Sequence, residues 1–317
     1  MPFAPVRSSR LFRSDLSPSV VALDGPFRHE HIHTRGIRLH AVTAGDPANP
    51  LLLLLHGSFA GWFDYREVIA PLAAAGYHVA AVDARGYGMS DKPPSSYGYD
   101  IRNAVGDVSG LIRALGHGSA VVVGSDTGGS VAWTLATSEP ERVRALVAVA
   151  AAHPVDLRRA IASRPWLYPW LLTRSLLCRL PSAGIKRLQR WAPAMYRRQL
   201  RLNTTSSYHR STHFREEINL RVTAAGISST GPAVVRNNRL LLTSLPLAWL
   251  REQVVAPTLL LYQEHGAWPH LARRSRDRVT AGVTVEQVAV PHARNLPHLE
   301  NPTGFVTTVL DFLAREA

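Results

Sequence analysis

The stretch that decides the fold of this chain runs Val121-Val122-Val123-Gly124-Ser125-Asp126-Thr127-Gly128-Gly129. A β-branched apolar run ends in a glycine-rich turn and a helical pattern follows, which predicts a strand, a sharp turn and a helix. This order is typical of a nucleophile elbow, in which small neighbours permit a strained turn and the central residue stands above the sheet edge. That residue is Asp126, and a carboxylate there predicts attack on a saturated carbon to give an ester that water must cleave. The alternative is an ordinary glycine-rich turn with an Asp at the helix N-cap.

Strands and helices alternate on both sides of this turn. Strands are predicted at 29–34, 37–42, 51–55, 78–82, 120–123, 143–150, 258–262 and 283–290, and helices at 62–75, 101–115 and 303–313. Continuous apolar runs such as 51–55 indicate strands buried on both faces of a mainly parallel sheet. The alternation therefore predicts an α/β protein with a doubly wound, mostly parallel sheet.

Residues 155–251 interrupt this alternation with an arginine-rich, aromatic-rich helical pattern. They contain seventeen Lys and Arg against three Asp and Glu, a balance of +14 in a chain whose net charge is +13. Such a break in charge and composition is typical of a domain boundary. We predict an N-terminal arm at 1–27, a core at 28–154 and 252–317, and a basic helical lid, or cap, at 155–251. The lid would lie over the carboxyl ends of the strands, where such sheets bind ligands.

Composition indicates the compartment. The single cysteine, Cys178, excludes an intramolecular disulfide and fits a reducing environment. The first residues include three arginines but no apolar h-region, so we expect no cleaved secretion signal. No stretch reaches transmembrane length without charge or proline. We expect a cytoplasmic protein with no cofactor and no metal.

Four segments match a known superfamily in order and spacing. They read LLLLLHG at 51–57, DARGYGMSDKP at 83–93, VVGSDTGG at 122–129 and LENP at 299–302. On these residues the chain resembles the α/β-hydrolase superfamily, in its epoxide hydrolase and haloalkane dehalogenase branch, over roughly residues 28–315. The resemblance implies an α/β-hydrolase fold with an inserted helical lid.

The resemblance also implies an oxyanion hole. Its donors would be the backbone N–H groups of Ser58 and Thr127, which stabilise negative charge when the ester is attacked. In dehalogenases the same two positions supply Asn and Trp side chains that hold the leaving halide. Ser58 and Thr127 lack those side chains, so dehalogenase activity is disfavoured. Residues predicted to bind substrate are Phe59, Trp62, Tyr168 and Asn238.

The two partners of the nucleophile depart from the superfamily pattern. The general base is a His five residues before the Glu of a closing Glu-x-Pro, and Glu300 places Asn295 there. Asn has no useful basicity near neutral pH, so it can hold a water but cannot deprotonate it. The acid that orients the base falls at Gly266, and the alternative position after the sixth strand offers no carboxylate before Asp156. We therefore expect a degenerate triad.

Other residues are candidates for the missing roles. The histidines that could replace the base are His153, His265, His292 and His298. His298 is a weak candidate, because a polar residue at the start of the final helix also explains it. The lid tyrosine that would bind an epoxide oxygen is replaced by Asn238, which leaves Tyr168, Tyr196 and Tyr208 as substitutes.

The basic lid has several interpretations. Its simplest role is a solvated face whose long arginine stems cover apolar surface. The excess of cations also fits an anionic substrate, an acidic carrier protein or an anionic membrane surface. We expect no nucleic-acid partner because no binding motif is visible. A homodimer is left open.

Three functions are consistent with these residues. In the first, Asp126 attacks or protonates an epoxide-type carbon of a hydrophobic small molecule, in an epoxide-hydrolase-like reaction with an atypical or missing base and acid. In the second, burial raises the pKa of Asp126 and the enzyme is a non-hydrolytic cyclase or lyase of specialised metabolism. In the third, the chain is a catalytically retired binding protein.

Overall fold

The computed structural model describes residues 15–94, 98–179, 192–250 and 252–316. The described residues form one eight-stranded sheet in the order β1-β2-β4-β3-β5-β6-β7-β8. The strands are β1 (Arg28–Thr34), β2 (Ile37–Ala44), β3 (Leu51–Leu55), β4 (His78–Val82), β5 (Ala120–Ser125), β6 (Val143–Val149), β7 (Thr258–Leu261) and β8 (Val285–Val288). β1 and β2 pair antiparallel, as do β2 and β4, whereas the pairs from β4 through β8 are parallel. The prediction of a mostly parallel α/β sheet is confirmed.

Helices cover both faces of this sheet. The α-helices of the described residues are α1 (Arg66–Ala74), α2 (Ile101–Ala114), α3 (Asp126–Ser138), α4 (Pro154–Ser163), α5 (Pro169–Leu177), α6 (Ala192–Asn203), α7 (Thr212–Ala225), α8 (Thr230–Asn237), α9 (Trp268–Arg278), α10 (Pro297–Glu300) and α11 (Pro302–Arg315). Alternate residues of β3 enter different cores: Leu53 packs in the core that includes α2 and α3, and Leu52 in the core that includes α1 and α11. A strand that is apolar at every position therefore satisfies both faces. No helix in the described segments is both long and apolar enough to span a membrane.

The strand order reverses direction beside the elbow. The chain leaves β3 to form β4 on one side and then returns to form β5 on the other. β3 and β5 are parallel neighbours, with Leu55 opposite Gly124, so the loops after them meet at one edge. Such a switch point is where doubly wound sheets bind ligands. Ser58 and Asp126 both follow these strand ends.

Most element boundaries agree with the sequence predictions, and the differences have local causes. The helix predicted at 62–75 starts as a 3₁₀ turn, Trp62–Tyr65, before α1 begins. The strand predicted at 283–290 is shorter, Val285–Val288, and lies at the edge of the sheet, where it pairs only with β7. Within the helical lid predicted at 155–251, α6 begins at residue 192, and residues 180–191 and 251 lie outside the described residues.

The described part of the N-terminal arm is docked on the molecule. Val21 is fully buried, and its carbonyl accepts a 3.0 Å hydrogen bond from the indole N–H of Trp62. The N–H of Leu16 donates to the carbonyl of Gly226 at the end of α7. Residues 1–14 of the predicted arm lie outside the described residues.

Buried ion pairs connect the predicted lid to the core. Arg221 on α7 contacts the Asp64 carboxylate at 2.5 Å and Glu217 at 3.1 Å. Glu217 in turn accepts a 2.6 Å contact from Arg66 of α1. Part of the basic charge of the lid is therefore turned inward onto carboxylates.

Candidate active site

The nucleophile elbow holds Asp126 in a strained conformation. Asp126 follows β5 and begins α3, and its φ of 49° lies in the left-handed region that non-glycine residues seldom adopt. The turn is tight enough to require glycine nearby. A Cβ on Gly124 would lie 2.6 Å from the carbonyl oxygen of Gly128, and one on Gly128 would lie 2.4 Å from that of Leu55. These glycines let the turn close while the Asp126 side chain projects from it.

The Asp126 carboxylate accepts hydrogen bonds at both oxygens. The N–H of Ser58 donates to Oδ2 at 2.9 Å. The guanidinium of Arg174 donates to Oδ1 at 2.9 Å and to Oδ2 at 3.0 Å, and to the Ser58 hydroxyl at 3.2 Å. The Arg174 side chain is 2% exposed and that of Asp126 is 22% exposed. A buried cation from the lid therefore neutralises the candidate nucleophile.

This ion pair corrects one expectation about Asp126. Burial on its own raises the pKa of the carboxyl, but the Arg174 guanidinium and the hydrogen bonds from Ser58 outweigh burial and lower the pKa below its ordinary value. Asp126 is consequently ionised at neutral pH. The expectation, made for the second function, that the pKa of Asp126 is raised overall was wrong, and protonation of substrate by Asp126 is disfavoured.

A cavity of about 400 Å³ opens beside the elbow. Its apolar lining comes mainly from the ends of β6, from α4 and α5 and from the start of α9. Its polar lining residues are Asp126, Tyr168, Arg174, Gln199, Asn203, His265, Arg294 and Asn295, together with Ser125. The volume suits a small organic molecule.

The positions of the expected base and acid line this same cavity. Asn295 donates from its side-chain amide to the Asn203 side chain at 2.9 Å, and its backbone N–H donates to the Asn203 carbonyl at 3.0 Å. Glu300 stabilises this loop, because one carboxylate oxygen accepts from the N–H of Arg294 and the other from the N–H of Thr205. Gly266 also lines the cavity. The structure therefore brings Asp126 together with the two positions predicted for its base and acid, and of the three only Asp126 carries an ionisable side chain.

The candidate histidines lie in different places. His265 lines the cavity at its exposed rim, and it is the only histidine among the described lining residues. His298 is fully buried, stacks on the Tyr65 ring at 4.6 Å and lies 3.9 Å from Asp64, so it does not line the cavity. His153 is the buried N-cap of α4, and its imidazole accepts from the N–H of Val155. The sequence singled out His298, whereas the geometry favours His265.

Of the four residues predicted to bind substrate, one lines the cavity and three do not. Tyr168 lines the cavity, and its buried hydroxyl has no hydrogen-bond partner among the described residues. Phe59 does not line it but packs beneath the Arg174 guanidinium, whose carbon lies 5.1 Å from the ring centroid. Trp62 is fully buried in the core that contains α1 and is therefore not part of the cavity wall. Asn238 is buried and donates to the carbonyl of Val234, also away from the cavity lining.

The predicted oxyanion donors occupy the two sides of the elbow. The N–H of Ser58 already points at Asp126, as described above. Thr127 is the second residue of α3, and its side-chain oxygen accepts from the Ser58 hydroxyl at 3.1 Å. N–H groups in the first turn of a helix have no partner within the helix, so that of Thr127 is available for a ligand.

Arg174 is the site residue that the sequence analysis missed. Seventeen cations in 155–251 gave no reason to single out one of them. A signal was present, because α5 reads PWLLTRSLL and Arg174 is the single charge in a helix that is otherwise apolar except for Thr173 and Ser175. No group of three or more His, Cys, Asp or Glu suited to a metal ion occurs in the described residues.

Comparisons with known proteins place these features in context. The family model of the alpha/beta hydrolase fold matches residues 50–225. The AB hydrolase superfamily protein YfhM of Bacillus subtilis is 37% identical over 159 residues, which cover 50% of this chain and 56% of YfhM. Epoxide hydrolase B of Mycobacterium tuberculosis is 43% identical over 123 residues, 38% of this chain and 35% of that enzyme. The matches thus span between about a third and just over half of these relatives.

A solved structure extends the likeness over the whole fold. Epoxide Hydrolase A from Mycobacterium thermoresistibile superposes with a TM-score of 0.72 at 25% sequence identity. The superposition covers 91% of this chain and 98% of that one. The similarity therefore includes parts of the chain on both sides of the elbow.

Proposed function

Because this chain belongs to the α/β-hydrolase fold family, we propose that it is an epoxide-hydrolase-like enzyme acting on a small hydrophobic molecule. In this proposal the Asp126 carboxylate attacks an epoxide carbon. One observation carries it: an ionised carboxylate stands at the elbow and faces a cavity of about 400 Å³. The names of the relatives support the same reaction class.

The first chemical step forms an ester. An oxygen of Asp126 bonds to the epoxide carbon while the bond from that carbon to the ring oxygen breaks, and the electron pair stays on that oxygen. Tyr168 supplies the proton that converts this alkoxide to a hydroxyl, and water then reprotonates Tyr168. Burial raises the pKa of Tyr168 to about 12, so the hydroxyl keeps its proton until an alkoxide forms. No described residue accepts a hydrogen bond from this buried hydroxyl, so its proton is not committed to a protein acceptor.

The second step, hydrolysis of the ester, is the slow one. Water must attack the ester carbonyl carbon and lose a proton, and Asn295 cannot accept that proton. The N–H of Ser58 would stabilise the oxyanion that forms on the former carboxylate. His265 at the cavity rim is the remaining candidate base among the described lining residues. We therefore expect the ester to accumulate.

Intact-protein mass spectrometry tests this proposal. After exposure to styrene oxide and other hydrophobic epoxides, the protein is expected to gain the mass of one epoxide within the first turnover and to lose it slowly. Asp126→Asn is the control, since it preserves the shape of the side chain but removes the nucleophile. We expect this variant to form the ester at least about a thousandfold more slowly. Equal labelling of both proteins would contradict the proposal.

The rate of ester formation should be nearly independent of pH around neutrality. The pKa of Asp126 lies below its ordinary value of 3.8, so the nucleophilic carboxylate persists until the pH falls through that lowered pKa. Between about pH 5 and pH 8 we expect a constant rate of mass gain, after subtraction of the rate for Asp126→Asn. A rate that climbs steadily across this range would show that the reacting carboxyl is protonated at pH 5.

A binding protein on the same fold is the second candidate. Two observations favour it: the Asn295 side chain is tied to Asn203, and Gly266 offers no carboxylate. A protein of this kind would bind epoxides without any mass gain. The mass measurement above separates the two functions directly.

A further inference from the structure

Arg174 imposes a condition on any reaction of Asp126. Its guanidinium donates to both carboxylate oxygens, and the attacking oxygen must give up at least part of this contact to use a lone pair on carbon. The Nε of Arg174 is buried and has no partner among the described residues. The guanidinium therefore has donor capacity that Asp126 does not use.

A neutral substrate leaves this cation uncompensated. Arg174 is 2% exposed, and a buried charge that loses its counter-ion costs several kcal/mol. Formation of the ester removes the negative charge of Asp126 altogether. Among the described lining residues, Arg174 would then remain as a buried cation without its carboxylate partner. A substrate with a negatively charged group of its own would pair with Arg174 and remove the free-energy cost of this unpaired buried cation.

We propose that the substrate carries a carboxylate next to its epoxide, and that Arg174 transfers its hydrogen bonds from Asp126 to that carboxylate. A guanidinium matches a carboxylate with two parallel N–H donors, so the exchange replaces one charged pair by a similar one. The released Asp126 carboxylate is then free to attack. This inference rests on the proposed function for the reaction, but the binding of the anion is testable without any reaction.

Calorimetric titration with hexanoate and hexanamide tests the inference, because the two ligands differ mainly in charge. We expect the full-length protein to bind hexanoate at least about tenfold more tightly than hexanamide. Arg174→Gln should abolish this preference. Arg197→Gln, which changes an exposed lid arginine on α6, is the matched control and should keep it.

A second titration uses the Asp126→Asn variant, and its result does not require the Arg174 variant to fold. The substitution removes the internal carboxylate that competes for Arg174, so hexanoate affinity should rise by about tenfold while hexanamide affinity stays the same. Equal affinity for the two ligands, or weaker hexanoate binding by Asp126→Asn, would overturn the inference. Hexanoate binding as predicted, with no adduct even from an epoxide that carries a carboxylate, would keep the anion-binding role of Arg174 and reject the proposed function. Adduct formation with equal affinity for hexanoate and hexanamide would keep the proposed function and reject the inference about Arg174.

Discussion

Replacing Asn295 with His is expected to shorten the lifetime of the Asp126 ester by about 10²- to 10⁴-fold, the usual contribution of a positioned general base. Asn295 lines the same cavity as Asp126, so an imidazole at this position would face the ester. The Asn203 side chain now accepts a 2.9 Å hydrogen bond from the Asn295 amide, and the same oxygen can orient the ring. The decay of the adduct mass, together with diol release, measures the effect.

A second substitution should strengthen the first. Gly266 lines the cavity, and a Cβ added there would meet nothing within 4 Å, so Gly266→Asp has room. Its φ of +68° strains most side chains, but Asp is among the residue types that adopt the left-handed region more readily. We expect the double variant to exceed Asn295→His, since an acid that orients and stabilises the imidazolium adds to base catalysis.

Asn295→Gln is the matched control for base catalysis. It keeps an amide at the position and supplies no basicity. If Asn295→His and Asn295→Gln release the ester at the same rate, lack of a base does not explain slow turnover.

Arg221→Met is expected to lower the free energy of unfolding by about 3–5 kcal/mol, the cost of removing one partner from a buried ion pair. The Arg221 side chain is 3% exposed, and it contacts the carboxylates of Asp64 and Glu217 and donates to the carbonyl of Phe59. Methionine fills a similar volume but leaves Asp64 as a buried charge without its partner. Urea denaturation followed by circular dichroism measures the change.

Arg215→Met is the control for this substitution. Arg215 lies on the same helix, α7, with an exposed side chain, so its replacement should change the free energy of unfolding by less than about 0.5 kcal/mol. Equal stability of the two variants would show that the charge network between α7 and α1 does not stabilise the fold.

The parts of the fold that sequence reasoning predicted are those determined by local pattern. β3 and β4 have the bounds expected from their continuous apolar runs. A strand buried on both faces is apolar at every position, so the apolar run itself marks the strand. The elbow was predictable because its glycine-rich pattern is local, although a Cβ on Gly124 would clash within the turn and one on Gly128 would clash with the end of β3. Asn295 and Gly266 were assigned by register with the closing segments, and both line the cavity with Asp126.

The parts that sequence reasoning missed depend on which side chains turn inward. The count of cations does not separate Arg174 from the exposed Arg197. Arg174 is the single charge of α5, and the packing of α5 against the elbow brings it to Asp126. The contact with Arg174 helps to lower the pKa of Asp126. The direction of this pKa shift could therefore not be predicted before Arg174 was known to be the partner. Trp62 was predicted to bind substrate, but it lies in the 3₁₀ turn Trp62–Tyr65 and packs into the core that contains α1.

Peptide mapping of the epoxide-treated protein identifies the side chain that reacts. We expect the added mass on the peptide containing Asp126, with fragment ions that assign it to that side chain. The same peptide from Asp126→Asn should carry no added mass. Mass found on Cys178, His265 or another nucleophile, with Asp126 unmodified, would contradict the account.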